Sequence, residues 1–236
     1  MHRKDENKKP GLILALDFEN VDMVRRFLDS WGDRVTFVKI GPGLFARGGI
    51  PFVAELVDGG WKVFLDLKLH DIPNTVAGAV KVLASENVWA VTLHTSGGSN
   101  MMSAAAKECK EGAPLLFGVT VLTSLDQRSW EEVHPLCPMQ QAMLQRARAA
   151  KNSHMDGIVC SPRDLKLFSN AAFGNLIKIV PGIRPLGYDI RDDQKRTATP
   201  MEAAREGADF VVVGRPVIQA AHPENAIDTI LEELNQ

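Results

Sequence analysis

The chain has 236 residues, 45% apolar and 24% charged, with a formal net charge of −2. That length is ample for a sizeable core in one large domain or two small ones. The near-neutral charge excludes a global positive field for nucleic acid or an anionic membrane surface, so an anionic ligand must be held by a few local cations.

The first ten residues, MHRKDENKKP, mix both charge signs and lack the apolar core of a secretory signal. Residues 1–10 are expected to form a solvated tail, with a basic patch for a partner as the alternative, and 11–236 a single domain. No apolar run approaches the roughly 20 residues needed to span a bilayer. From residue 12 onward, short apolar, β-branched runs recur: LILALDF (12–18), VTFVKIG (35–41), KVFLDLK (62–68), WAVTLHT (89–95), LLFGVTVLT (115–123), GIVCS (157–161), LIKIVPGI (176–183) and DFVVVGR (209–215). Such runs, lacking polar alternation, are characteristic of parallel strands buried on both faces. Helical spacing lies between them, as in Val21, Val24, Phe27 and Leu28, then Val76, Val80, Leu83 and Ala84, and finally Ile218, Ala226, Ile227, Ile230 and Leu231. Units of about 30 residues, and no early GxGxxG, favour a closed (βα)8 TIM barrel over an open doubly wound sheet. Cys109, Cys137 and Cys160 are too few and too widely spaced for a disulfide framework or a metal site, and suit a reducing cytoplasm.

In such a barrel the reactive groups sit where the strands end. Here those ends carry Asp17, Lys39, Asp66 with Lys68, His94 with Thr95, Thr123 with Ser124, Arg184, and Gly214 with Arg215. The sharpest constellation is Asp66-Leu67-Lys68-Leu69-His70-Asp71. Strand residues two apart share a face, so Asp66 and Lys68 project together while Leu67 faces the strand–helix layer. Asp71 follows in the turn before the helix that Pro73 opens. A lysine between two carboxylates is held charged and in place, which suits a proton donor to carbon. The alternative is a structural ion pair with Asp71 at a helix N-terminus. Against it, two carboxylates at ~4 Å repel by roughly 4 kcal/mol at an effective dielectric of ~20.

The other anchors also have two readings each. Lys39 either snorkels to the surface or is a second cation at the mouth. Asp17 either caps a loop or accepts from a sugar hydroxyl. His94 either joins acid–base chemistry or is a hydrogen-bonded structural residue, and neither its role nor that of His70 is fixed. Met101 and Met102 are packing residues. The loops after the last two strands, PGIRP with the polar GYDIRDDQKR and VVGRPVI, suit a phosphate: Gly214 lets the backbone approach an anion and Arg215 offers a forked donor pair.

DLKLHDIPNTV fits the signature D-x-K-x-x-D-I-P-N-T, and LALD, VKIG, TVLTS, PGIRP and VGRP occur around it in the expected order. On these motifs the chain resembles the orotidine 5'-monophosphate decarboxylase family over nearly its whole length. The DxKxxD core alone is shared with related barrels acting on sugar phosphates. The resemblance implies a cofactor-free enzyme of pyrimidine biosynthesis in which Lys68 protonates C6, with Asp66, Asp71 and Lys39 in the charged network. It implies that Asp17 and Lys39 bind ribose hydroxyls, and that Thr123 or Ser124 meets the pyrimidine. Arg184, Gln194, Gly214 and Arg215 would surround the phosphate. It further implies a homodimer, with Asp71 and Thr75 reaching the neighbouring site. Competing expectations are a metal-dependent sugar-phosphate decarboxylase or aldolase on the same barrel, and a non-catalytic barrel that binds a phosphate ligand.

Overall fold

The computed structural model describes residues 9–29, 34–109, 113–188 and 196–236. Residues 1–8 of the expected 1–10 tail and the candidate Gln194 lie outside the described residues. Eight parallel strands close in sequence order into a barrel. They are β1 (Gly11–Ala15), β2 (Phe37–Ile40), β3 (Lys62–Leu69), β4 (Ala90–His94), β5 (Leu115–Val119), β6 (Gly157–Val159), β7 (Ile177–Val180) and β8 (Phe210–Val213). Each falls within an apolar run of the sequence, except that β1 begins at Gly11 and β3 extends to Leu69, each one residue beyond its run. The expected TIM barrel is the fold observed.

Helices cross between strands: α1 (Val21–Leu28), α2 (Pro42–Asp58), α3 (Pro73–Ser85), α4 (Gly98–Ala106), α5 (Gln127–Val133), α6 (Met139–Asn152), α7 (Pro200–Arg205), α8 (Arg215–Ile218) and α9 (Pro223–Leu234). The spacing expected one helix per unit, and the sixth crossover departs from it with a 3₁₀ segment, Pro162–Phe168. The start signals are local. Asn20 accepts from the Met23 N–H to cap α1, and Thr199 with Glu202 forms a capping box on α7. Proline opens α3, where its missing N–H costs nothing.

Period-two alternation divides the apolar residues into two cores. One parity of each strand packs outward against the helices, with Leu14, Val38, Leu65, Val91 and Val211 meeting Val24, Val76, Val80, Leu83, Ile227 and Ile230. Leu67 joins this layer as expected, and Met101 and Met102 are fully buried. The other parity fills the barrel: Ile13, Ala15, Phe64, Phe117, Val119, Val159, Ile179 and Val212, with Phe37, Trp89 and Phe210 packed against them. Gly157 is the small residue that this filling requires. A Cβ there would run into the Ile177 carbonyl and the Phe117 ring.

Candidate active site

On the first three strands the inward parity leads up to the candidate charged residues. On β2 it runs from Phe37 to Lys39, on β3 from Phe64 to Asp66, and from Ala15 at the end of β1 to Asp17. Ala15, Asp17, Lys39 and Asp66 line a cavity of ≈ 300 Å³ together with Lys68, Val119, Val159, Val212, Thr123, Ser124, Arg184, Gly214 and Arg215. Loops after β5, β7 and β8 thus meet the charged ends of β2 and β3 across one opening.

The charges alternate along that wall. Lys39 Nζ lies 3.4 Å from Asp17 Oδ1 and 3.8 Å from Asp66 Oδ2, and Lys68 Nζ lies 2.9 Å from Asp66 Oδ1. The Lys39 side chain is only 12% exposed, so it does not snorkel outward; it is an inward cation. Lys68 is 35% exposed, with its ammonium bordering the cavity. Burial raises the Asp66 carboxyl, but the ammonium groups of Lys39 and Lys68 and the hydrogen bonds from Lys68 and Thr92 outweigh it, leaving its pKa below the usual carboxylate value. Asp66 is therefore an anion that fixes two cations.

Simple strand alternation does not by itself place Lys68. Its φ is +51°, a left-handed conformation that costs a side-chain-bearing residue about 1–2 kcal/mol, and the β3–β4 register shifts between Leu65 and Leu69. Thr92 on β4 compensates. Its hydroxyl accepts from the Lys68 backbone N–H at 2.8 Å and donates to Asp66 Oδ1 at 3.1 Å. The bulge re-aims Lys68, and Thr92 ties it to Asp66. Backbone strain held in place by neighbouring bonds at a charged cavity wall is typical of a functional position.

The second flanking carboxylate differs from the simplest reading. Asp71 accepts from the Ile72 N–H at 2.6 Å and is exposed, as is Thr75; neither lines the cavity of its own chain. The Asp71 carboxylate therefore does not flank Lys68 from within one chain. His94 lies at the end of β4, where Nδ1 accepts from the Ser96 N–H and the ring stacks on His70 with centroids 5.3 Å apart. Burial, then the charges of Arg146, His70 and Lys68, push it down to about 4, so the ring is neutral near pH 7. Neither histidine lines the cavity. His94 is a structural residue bonded to Ser96, close enough to Lys68 to feel its charge.

At the far end, a Cβ at Gly214 would stand 3.2 Å from the Ala15 Cβ and 3.3 Å from Asp17 Oδ2, so any larger residue would press on the Asp17 carboxylate at the cavity wall. Arg184 donates to the Ile183 carbonyl at 2.7 Å and sits over the Tyr188 ring. Sequence reasoning missed Thr92, although it occupies the inward parity two residues before His94. It also missed the buried pair Asp164–Arg196, whose partners lie too far apart along the chain to leave a local signal.

The sequence profile described as "Orotidine 5'-phosphate decarboxylase / HUMPS family" matches residues 10–230. The chain belongs to this family. It is 42% identical over 230 residues to the orotidine 5'-phosphate decarboxylase of Vibrio cholerae, covering 96% of this chain and 97% of that one. To the enzyme of the same name from Legionella pneumophila it is 40% identical over 228 residues, covering 95% and 99%. The crystal structure of orotidine 5'-phosphate decarboxylase from Lactobacillus acidophilus superposes with a TM-score of 0.82 at 37% identity, covering 97% of this chain and 100% of that one. With these relatives the chain is a carboxy-lyase.

Proposed function

We propose that the chain decarboxylates orotidine 5'-monophosphate to uridine 5'-monophosphate and CO2, with Lys68 giving the proton to C6. The observation that carries this reading is the Asp17–Lys39–Asp66–Lys68 chain along one wall of the cavity, ending in an ammonium that borders open space. When the bond from C6 to the carboxylate breaks, CO2 departs and its electron pair stays on C6. That carbanion has no conjugated electron sink, so a fixed cation beside it is what lowers the barrier. Lys68 then transfers an N–H proton to C6 and recovers one from solvent. Asp66 holds the ammonium on station at 2.9 Å before the transfer, and its charge favours reprotonation of the neutral amine afterwards. Its own charge near the substrate carboxylate also disfavours the bound ground state.

Thr123 or Ser124 would meet the pyrimidine, Asp17 and Lys39 the ribose hydroxyls, and Arg184, Gln194, Gly214 and Arg215 the phosphate. Binding energy gathered at the phosphate is then expressed at the reacting carbon. We propose a homodimer in which Asp71 and Thr75 enter the neighbouring site. What supports it is the exposure of Asp71, Ile72, Asn74 and Thr75 in one run at the start of α3, with Ile72 67% exposed. The reading includes a place in pyrimidine biosynthesis in the cytoplasm, a setting that three unpaired thiols suit, and a reaction run without metal or organic cofactor.

The test is to mix the protein with orotidine 5'-monophosphate and follow the loss of orotate ultraviolet absorbance, with and without a chelator. The expected result is rapid loss at the same rate in both. No loss in either sinks the decarboxylase reading, and loss only without chelator moves the chain to a metal-dependent reaction.

A further inference from the structure

Beside the cavity lies a buried ion pair for which the proposed chemistry has no use. Arg196 Nη1 stands 2.6 Å from Asp164 Oδ2, with side chains 9% and 12% exposed. Ser161 Oγ donates to the same carboxylate oxygen at 2.8 Å. Asp164 belongs to the 3₁₀ segment after β6, and Ser161 immediately precedes that segment. The remaining guanidinium donors cross to the loop after β5, Nη2 to the Leu122 carbonyl at 3.3 Å and Nε to the Thr123 carbonyl at 3.4 Å. One planar group thus joins its own segment to two others, with two of its bonds at consecutive carbonyls of the segment whose Leu122, Thr123 and Ser124 line the cavity.

A buried ion pair is a poor source of stability, because desolvating both charges consumes most of the attraction. What a guanidinium offers beyond a point charge is a rigid fork that fixes several acceptors in one geometry. Leu122 is an apolar side chain that lines the cavity and is 37% exposed. We propose that Arg196 is a positioning residue. Held by Asp164, it grips the carbonyls of Leu122 and Thr123 and sets how that segment meets the base of a bound nucleotide. This rests on the reading that the cavity takes a pyrimidine nucleotide with its base toward Thr123 and Ser124.

The test compares two ligands, uridine 5'-monophosphate and ribose 5-phosphate, which shares the sugar phosphate and lacks the base. Binding of each is measured on wild type, Arg196→Lys, Arg196→Ala and Asp164→Asn, alongside the thermal midpoint. Lysine keeps a charge opposite Asp164 but cannot also span both carbonyls. Arg196→Lys is therefore expected to keep the wild-type midpoint and ribose 5-phosphate affinity while losing about tenfold in nucleotide affinity. Asp164→Asn should show the same selective loss, and Arg196→Ala a loss at least as large. If Arg196→Ala does not fold, the lysine variant still decides. Unchanged nucleotide affinity in Arg196→Lys, or equal losses for both ligands, overturns the positioning role. Failure of the wild-type protein to bind either ligand would instead sink the nucleotide reading itself.

Discussion

The two ends of the barrel are built from the same inward parity but to opposite purposes. At the end where strands begin, Phe37 packs on Trp89 with centroids 4.6 Å apart and on Phe210 at 5.2 Å, and Trp89 meets Phe210 at 5.2 Å. Phe64 and Phe117 close the next level at 5.9 Å. At the other end the same positions carry Asp17, Lys39, Asp66 and, through the bulge, Lys68. Lys39 stands one pleat above Phe37, and Asp66 one pleat above Phe64. Charges set directly over an apolar floor are costly unless paired, and these are paired in series. The comparison teaches that the lower end is built for packing and the upper end, on the proposed function, for chemistry, so damage to each should be read in a different measurement.

The largest effect should come from the upper end. Lys68→Ala is expected to lower turnover on the order of 10⁴-fold, about 5.5 kcal/mol of barrier, while phosphate-end binding survives. Near-normal decarboxylation by this variant would remove Lys68 from the mechanism and blur the division between the ends. Next is the lower end. Trp89→Ala should cost about 3 kcal/mol in denaturant unfolding, with KM and turnover of the folded enzyme little changed. A parallel collapse of turnover would show that the floor is part of the site. Arg215→Ala should then reduce kcat/KM roughly thirtyfold, about 2 kcal/mol, without moving the thermal midpoint. A midpoint shift with intact kinetics would reassign it from ligand binding to packing.

The smallest effect concerns pH. The unfolded chain takes up the His94 proton near 6.5 and the folded chain near about 4. Between those values the unfolded state binds more protons, so stability falls as pH falls, and this contribution is fully lost below about 4. The ring is half-buried, and solvent screening limits the contribution to roughly 1 kcal/mol. His94→Gln should therefore lose less stability than wild type between pH 7 and pH 5. Identical slopes in thermal melts at the two pH values would show that the ring titrates freely.

Much of this division was legible in the sequence because a strand's side chains alternate with period two. Knowing that Phe64 points inward fixes Asp66, and knowing Phe37 fixes Lys39. The eight runs, their order and the polar residues at their ends needed nothing beyond that rule and burial on both faces. The family motif was legible too, since DLKLHDIPNTV is contiguous. The turn from strand to 3₁₀ segment at Pro162 was less so, because a single short stretch of apolar residues does not separate the two helix types.

What the sequence determined by itself was therefore local and periodic: eight strands, two faces for each, and charged residues at one end of the inward face. Only the tertiary structure decided that Lys68 reaches the cavity through a left-handed residue and a register shift, that Thr92 ties its backbone to Asp66, and that Asp71 bonds the Ile72 N–H and does not line the cavity of its own chain. It alone brought Arg196 to Leu122, 74 positions away. The physical reason is range. Alternation and capping act between residues a few positions apart, whereas hydrogen bonds across neighbouring strands and loops depend on closure of the barrel, which no segment encodes alone.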